Sequence, residues 1–270
     1  EAGLRRGDRC AIEPDLNDPS SPASRAGRTN CCEALKVLGV HTDGGMRPRL
    51  AVPTHKLHRS ETLSFDQLAL VETLCIGAHG VGRASVSSDD RVLVVGAGPI
   101  GLGAMQSAQA TGATVVAADM SAHRLAFCRG QIGIEDTVSS DSMGSDNAAL
   151  RDAFGGDLPS VVIDATGNRE SMAAATSRAA HGGRIVYLGI VQGTVALDDP
   201  ELHRRELTIF GSRNATADTF RRVLADLESG RVNTAPWITA RIGLEEVPTR
   251  FGEITSSPGS VKSVIEVTHA

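Results

Sequence analysis

Three glycines and one acid form the clearest chemical pattern in this sequence. Gly96, Gly98 and Gly101 follow a short β-branched run at residues 92–95, and Asp119 stands 23 positions after Gly96. The first glycine permits a tight turn, the second lets the backbone approach a pyrophosphate, and the third lets a helix pack closely. A carboxylate at position 119 can accept hydrogen bonds from ribose hydroxyls. The spacing therefore predicts a dinucleotide-binding site.

The same residues predict which dinucleotide binds. Asp119 would repel a 2′-phosphate, so we expect NAD rather than NADP, although Arg124 lies close enough in sequence to contact a phosphate. Pro99 is tolerated in the first turn of a helix predicted over residues 99–110, and the N–H groups of that turn favour a bound anion.

Strand and helix signals alternate around this site. Strands are predicted at residues 92–95, 114–118, 160–164, 183–188 and 207–210, and helices near 121–131, 146–154 and 169–180. This alternation favours an α/β fold with a doubly wound parallel sheet, whose ligands bind beyond the carboxyl ends of the strands. The loops at 96–101, 164–168 and 189–192 should therefore face one crevice.

The sequence on either side of this region does not show regular alternation of strands and helices. Strands are predicted near residues 10–12, 50–52 and 261–267, a helix over 64–84, and another from Thr216 or Asp218 to Glu228. Residues 14–30 are rich in turn formers and predict a surface loop.

Composition excludes several classes of protein. The net charge of −5 and the lack of a basic cluster argue against a nucleic-acid partner. No apolar stretch approaches the roughly 20 residues that span a bilayer, so we expect no membrane partner and a cytoplasmic location. The 5 cysteines are an odd number without a C-x-x-C pair, which predicts reduced thiols. Hydrolase and kinase motifs do not occur.

Several further segments carry a resemblance to a known family. They are residues 7–9 (Gly-Asp-Arg), 39–45, 70–79, 96–101, 162–168, 182–189, 206–214 and 261–267. In these segments the chain resembles the medium-chain dehydrogenases/reductases, and among them the zinc-type alcohol and polyol dehydrogenases that act on sorbitol, threonine and sugar acids. The likeness covers nearly the whole chain and keeps the family's order.

The resemblance implies a domain organisation. Residues 1–73 and 212–270 would form a partial GroES-like β-barrel catalytic domain, with a Rossmann domain for NAD inserted at residues 74–211. Since the family begins several dozen residues before the Gly-Asp-Arg segment, we expect this chain to start in mid-domain. A homodimer or homotetramer built through edge strands near residues 183–197 is also implied.

Catalytic zinc is implied only in part. Of the family's zinc ligands, the chain carries a match at Glu72, whereas the early cysteine and the Gly-His-Glu segment do not occur in it. One carboxylate cannot hold a catalytic zinc that needs three protein ligands, so zinc is expected only if those N-terminal ligands exist. His41 and His79 have no second ligand at metal spacing.

A structural zinc is not expected. Relatives that bind one use four cysteines, whose positions correspond here to Asp18, Ser21, Ser24 and Cys32. Serine is a poor zinc ligand, and without the metal the 14–30 loop should be more mobile than in those relatives.

The family's cofactor contacts carry over to individual positions. Ile100 would cover the pyrophosphate turn, Arg124 would flank the adenosine, and Thr166 would line the adenine or ribose wall. Gly189 and Ile190 would approach the nicotinamide half. Two basic residues, Lys262 and Arg213, would pair with phosphate groups.

The predicted function is NAD-dependent oxidation of a secondary alcohol, a polyol or a sugar acid, to a ketone by hydride transfer. Two alternatives stay open at this stage. One is a zinc-free medium-chain reductase of the same fold. The other is a non-catalytic NAD-binding fragment or pseudoenzyme, and NADH binding without turnover of any polyol would distinguish it.

Overall fold

The computed structural model describes residues 3–144, 146–257 and 259–267. Its first elements are β1 Arg9–Ile12, β2 Asp15–Leu16, α1 Pro22–Arg25, β3 Lys36–Val37, β4 Leu57–Ser60 and α2 Phe65–Arg83. There follow β5 Arg91–Val95, α3 Pro99–Gln109, β6 Thr114–Asp119, α4 Ala122–Phe127, β7 Thr137–Ser139, α5 Ala148–Ala153, β8 Val161–Asp164, α6 Arg169–Arg178, β9 Arg184–Tyr187, α7 Asp199–Arg204 and β10 Thr208–Gly211. The last are α8 Ala217–Glu228, β11 Ile238–Gly243, α9 Val247–Ser256 and β12 Lys262–Glu266.

Six parallel strands form the central sheet, in the order β10-β9-β8-β5-β6-β7. The chain builds β5, β6 and β7 towards one edge, returns to the middle, and then builds β8, β9 and β10 towards the other. The direction of winding reverses between β5 and β8, which is where ligands bind in such sheets. The predicted α/β fold with a doubly wound parallel sheet is confirmed.

Continuous apolar runs explain why these strands are interior. Val92, Val94 and Val162 are 0% exposed, as expected for parallel strands covered by helices on both faces. One large cluster packs the sheet against α5 and α6, and it contains Leu93, Val116, Leu150, Val162, Ala175 and Ile185.

The chain divides by proximity into two compact units. One runs up to Cys75 and resumes at Asn214, and the other is Ile76–Arg213. The boundaries predicted from the family lie at 73/74 and 211/212. None of the described helices is long and apolar enough to cross a membrane.

The discontinuous unit holds three two-stranded sheets, in which β1 pairs with β4, β2 with β3, and β11 with β12. Inside it, the fully buried Glu13 binds Lys56 and lies 3.1 Å from His58 Nε2. His58 stacks on Phe220 with 4.7 Å between ring centroids. Burial would raise the pKa of Glu13, but the bonds to His58 and Lys56 outweigh it and lower that pKa. Buried charges of this kind persist only when they are paired.

The prediction of a strand at residues 50–52 is wrong. Those residues form no strand, and the partner of β1 is β4, beginning at Leu57. A short apolar run is compatible with extended backbone, but a strand also needs a partner. Eight of the elements named above were not predicted: β2, α1, β3, β4, β7, α7, β11 and α9.

The prediction that residues 14–30 form only a surface loop also needs correction. The segment contains β2 and α1, and Asp15, Ser21 and Asn30 are buried. Asn214 donates a 2.7 Å hydrogen bond to Asp15, and Ser21 caps α1 through the backbone N–H of Ser24. Polar residues are buried when they are hydrogen-bonded, which composition alone does not reveal.

Candidate functional site

The glycine turn joins β5 to α3. Gly96 has a φ of +99°, a conformation that favours glycine. A Cβ on Gly101 would lie 1.7 Å from the carbonyl oxygen of Gly96, so a side chain there would prevent α3 from starting beside the turn. Around Gly98, by contrast, no atom from elsewhere in the described residues lies within 4 Å of a Cβ position. The turn therefore leaves open space at the N-terminus of α3, where the chain can bind an anion.

Asp119 ends β6 and is 9% exposed. Its Oδ2 accepts a 2.7 Å hydrogen bond from the N–H of Ala97, and its Oδ1 accepts one of 2.8 Å from the N–H of Ser121. The Nη1 of Arg124 lies 3.8 Å from Oδ2, and this side chain is half exposed. Since a carboxylate oxygen can accept more than one hydrogen bond, both oxygens keep capacity for ribose hydroxyls.

Asp164 at the end of β8 is a site residue that the sequence analysis missed. Its carboxylate is fully buried. It accepts hydrogen bonds from the N–H of Thr166 at 2.9 Å, from the Thr166 hydroxyl at 2.6 Å, and from the Ser171 hydroxyl at 2.6 Å. Asp164 thus holds the loop that carries Thr166. The signal in the sequence is an acid directly after three buried apolar residues, at the same place in its strand as Asp119.

A cavity of about 670 Å³ opens at the carboxyl ends of β5, β6, β7 and β8. Five predicted cofactor residues line it: Gly96, Gly98, Asp119, Arg124 and Thr166. Residues not singled out from the sequence line it as well: Met120, Ser121, Ser140, Asp141, Asn168, Glu170, Ser171, Ala174 and Arg178. The strand order brings these groups together, because parallel strands end at the same edge of a sheet.

The other predicted cofactor residues do not line this cavity. Pro99, Ile100 and Gly101 form the first turn of α3. Gly189 lies just after β9 and packs against the loop that follows β8, since a Cβ on it would lie 2.2 Å from the backbone nitrogen of Gly167. Ile190 is 83% exposed. Arg213 follows β10 at the same edge of the sheet. Their contacts with a cofactor remain predictions.

Glu72 and Lys262 belong to the discontinuous unit. Glu72 is half buried in α2. Burial raises its pKa above the ordinary value, and the charge of Lys262 offsets only part of that rise. Lys262 begins β12 and is paired with Ile238. The contact of Lys262 with a cofactor phosphate stays a prediction.

The predicted metal role of Glu72 can be tested on its surroundings. Over residues 3–144, 146–257 and 259–267, no three His, Cys, Asp or Glu side chains come together as a metal site. A catalytic zinc needs three protein ligands, so the described residues do not supply one by themselves, and the metal role of Glu72 stays a prediction. His41 has a different role, since its Nδ1 accepts a 3.0 Å hydrogen bond from the N–H of Val37.

The four positions that match a structural zinc site lie close together, but three of them carry a carboxylate or a hydroxyl in place of a thiol. The fully buried Cys32 Sγ accepts a 3.3 Å hydrogen bond from the N–H of Asp18, and the hydroxyls of Ser21 and Ser24 lie 3.1 Å apart. Hydrogen bonds, the strongest from Ser21, lower the pKa of the Cys32 thiol. The predicted absence of a structural zinc remains a prediction.

Comparison with known proteins adds three findings. A family model described as zinc-binding dehydrogenase matches residues 99–229. The L-galactonate-5-dehydrogenase of Escherichia coli (strain K12) is 40% identical over 242 residues, which are 89% of this chain and 70% of that protein. An alcohol dehydrogenase from Escherichia coli CFT073, solved with NADH, has a TM-score of 0.89 and 26% identity, and the match covers 98% of this chain and 79% of that one.

A further solved structure bears on the cofactor. A zinc-binding dehydrogenase from Sinorhizobium meliloti 1021, bound to NADP, has a TM-score of 0.86 and 27% identity over 98% of this chain and 78% of that one. The two solved relatives therefore hold different nicotinamide cofactors, one with and one without the 2′-phosphate.

Proposed function

Because this chain belongs to the zinc-binding dehydrogenases, as its sequence resemblance predicted, we propose that it oxidises a secondary alcohol group of a sugar acid or polyol with NAD. The hydride leaves the alcohol carbon for the nicotinamide ring and the hydroxyl releases its proton. The products are a ketone, NADH and a proton. The sugar-acid relative at 40% identity supports this substrate class.

One observation carries the cofactor assignment. Asp119 lines the cavity and is tied by a 2.7 Å hydrogen bond to Ala97, the residue between the first two glycines of the turn. A ribose on Asp119 and a pyrophosphate on the turn would thus meet groups that hold each other in place. Preorganised polar groups of this kind bind a ligand without being reordered.

NAD is the proposed dinucleotide rather than NADP. The Asp119 carboxylate would be close to a 2′-phosphate, and like charges in a largely buried site repel. Arg124 offers a compensating charge, but its side chain is half exposed and already lies 3.8 Å from Asp119. Its attraction for a phosphate is therefore screened by solvent and by that carboxylate.

The remaining contacts complete the proposal. Thr166 would line the adenosine, Gly189 and Ile190 would approach the nicotinamide, and Ile100 would cover the pyrophosphate. Two basic residues, Arg213 and Lys262, would contact phosphates. These roles follow the family resemblance and the position of each residue along the chain.

The experiment is a titration of the purified chain with NADH and NADPH, followed by turnover assays with NAD on a panel of sugar acids and polyols. We expect tighter binding of NADH and reduction of NAD by at least one sugar acid. NADH binding without turnover would favour the non-catalytic alternative. If neither nucleotide bound, the whole proposal would be wrong.

A further inference from the structure

Arg178 lies in the last turn of α6 and lines the candidate cofactor cavity, although it is only 9% exposed. Helical side chains point back towards the helix N-terminus. The Arg178 side chain does so over two turns, which brings Nη1 to 3.4 Å from the carbonyl oxygen of Ser171 and 3.5 Å from its hydroxyl. The charged end therefore lies near the cavity, towards the carboxyl ends of the strands.

The guanidinium of Arg178 is poorly satisfied by the protein. It has five N–H donors, and the two bonds to Ser171 are both long. Within the described part of the chain, no carboxylate lies at ion-pairing distance from it. The charge of Asp164 acts on Arg178, but the Oδ2 of Asp164 is already bound to the Ser171 hydroxyl at 2.6 Å. Burial lowers the pKa of Arg178, and the donors that make no bond to the protein are left for a ligand in the cavity.

The place of Arg178 in the cavity indicates what it would meet. This step rests on the proposed function, in which the ribose lies on Asp119 and the pyrophosphate beside Gly98. Asp119 and Asp164 end strands that are separated by β5, which puts their backbones about 10 Å apart. Arg178 is attached through Ser171 to the Asp164 side of the cavity. The group that extends from the ribose towards this side is the base.

We propose that Arg178 recognises the cofactor's base by donating a hydrogen bond from its guanidinium to N1 of adenine. N1 is an acceptor on the edge of the ring that lies away from the ribose, so it is the adenine nitrogen that reaches farthest towards the Ser171 side. In a largely buried site, a hydrogen bond from a charged donor to a neutral ring nitrogen is stronger than a hydrogen bond between two neutral groups. The bond would also satisfy a donor that the protein leaves open.

The test uses AMP analogues as competitors of NADH on the purified chain. In 1-deaza-AMP the N1 acceptor is replaced by C–H, and in 7-deaza-AMP the same change is made at N7, which serves as the matched ligand. For the wild type we expect 1-deaza-AMP to bind roughly ten-fold more weakly than AMP, and 7-deaza-AMP to bind as AMP does.

The matched variant is Arg178→Met, which keeps the apolar stem of the side chain and removes its donors. It should bind AMP roughly ten-fold more weakly than the wild type and should no longer distinguish AMP from 1-deaza-AMP. Arg221→Met removes an exposed arginine of α8 and should change neither affinity. Thermal unfolding of each variant reports whether it is folded.

The ratio of the affinity for AMP to the affinity for 1-deaza-AMP separates base recognition from a structural role. A merely structural Arg178 would make Arg178→Met weaken AMP, 1-deaza-AMP and 7-deaza-AMP in parallel, and that result would overturn the proposal. Equal binding of AMP and 1-deaza-AMP by the wild type would overturn it as well. If the wild type bound neither NADH nor AMP, the proposed function itself would fail.

Discussion

The carboxylate of Asp119 accepts a 2.7 Å hydrogen bond from the backbone N–H of Ala97, which ties the end of β6 to the glycine turn after β5. A second bond, from the N–H of Ser121, holds the other carboxylate oxygen. The candidate ribose site and the candidate pyrophosphate site are therefore parts of one hydrogen-bonded arrangement. A substitution in the candidate ribose site should therefore also alter the candidate pyrophosphate site, and the reverse.

Replacing Asp119 should change the choice of cofactor. For Asp119→Ser we expect NADH to bind about 10–100-fold more weakly, because hydrogen bonds to a charged group contribute roughly 1.5–3 kcal/mol. NADPH should lose less affinity than NADH, because the repulsion of its 2′-phosphate is removed. Fluorescence titration with both nucleotides measures the ratio. Asp152→Ser, at an exposed acid of α5, is the control, and an unchanged ratio in Asp119→Ser would contradict the assignment.

Two glycines of the same turn should respond differently to alanine. At Gly98 the φ is −79° and nothing from the rest of the described chain lies within 4 Å of a Cβ, so Gly98→Ala should fold normally. Its methyl group would occupy the space proposed for the pyrophosphate, and NADH affinity should fall at least ten-fold. Isothermal calorimetry and thermal unfolding together check this. Wild-type affinity in Gly98→Ala would place the pyrophosphate elsewhere.

Gly101→Ala should instead destabilise the fold. The new Cβ would lie 1.7 Å from the Gly96 carbonyl oxygen, so either the turn or the start of α3 must shift. Overpacking of this kind typically costs 1–3 kcal/mol or more. Urea unfolding gives the free-energy difference directly. A variant as stable as the wild type would show that the turn relaxes freely.

Asp15 should make stability depend on pH. Burial raises its pKa from 3.8 to about 6, despite the hydrogen bond from Asn214. The folded state thus favours the protonated acid, and the free energy of unfolding should fall as the pH rises from about 4 to about 6. Asp15→Asn removes this loss, so it should be more stable than the wild type by up to about 3 kcal/mol at pH 7 and no more stable at pH 4.

Urea unfolding across that pH range measures the effect. Asp18→Asn is the informative control, because hydrogen bonds from Ser20 lower the pKa of Asp18. Its removal should reduce stability at neutral pH, with the opposite sign to Asp15→Asn. If Asp15→Asn and the wild type showed the same pH profile, Asp15 would have an ordinary pKa.

Cys32 should contribute to stability without holding a metal. Its thiol is buried among Asp18, Ser21 and Ser24, where the hydroxyls cannot replace zinc-binding thiolates. Cys32→Ala is expected to lower the unfolding temperature and leave the zinc content of the protein unchanged. Cys31→Ala, at its exposed neighbour, should change neither. Loss of zinc together with Cys32 would contradict the predicted absence of a structural metal.

Sequence reasoning succeeded where local residue type carries the constraint. The turn at Gly96 needs a positive φ, α3 needs Gly101, and the strands of the sheet are apolar runs. Sequence reasoning failed where a residue distant in sequence decides whether a segment forms a strand or whether a side chain is buried. The extended run at residues 50–52 forms no strand because β1 pairs with residues 57–60 instead. Asp15 is buried because Asn214, distant in sequence, donates to it.

By itself the sequence determined the parallel sheet, the glycine turn and the acid at Asp119, because backbone freedom, apolar runs and their spacing are local properties. Only the tertiary structure decided that Ser171 and Arg178 line the same cavity and that the buried Asp164 holds Ser171 there. Their meeting depends on strand order, which places the end of β8 near that of β6, and on a side chain that reaches back along α6. Neither strand order nor side-chain reach is encoded in the spacing of a motif.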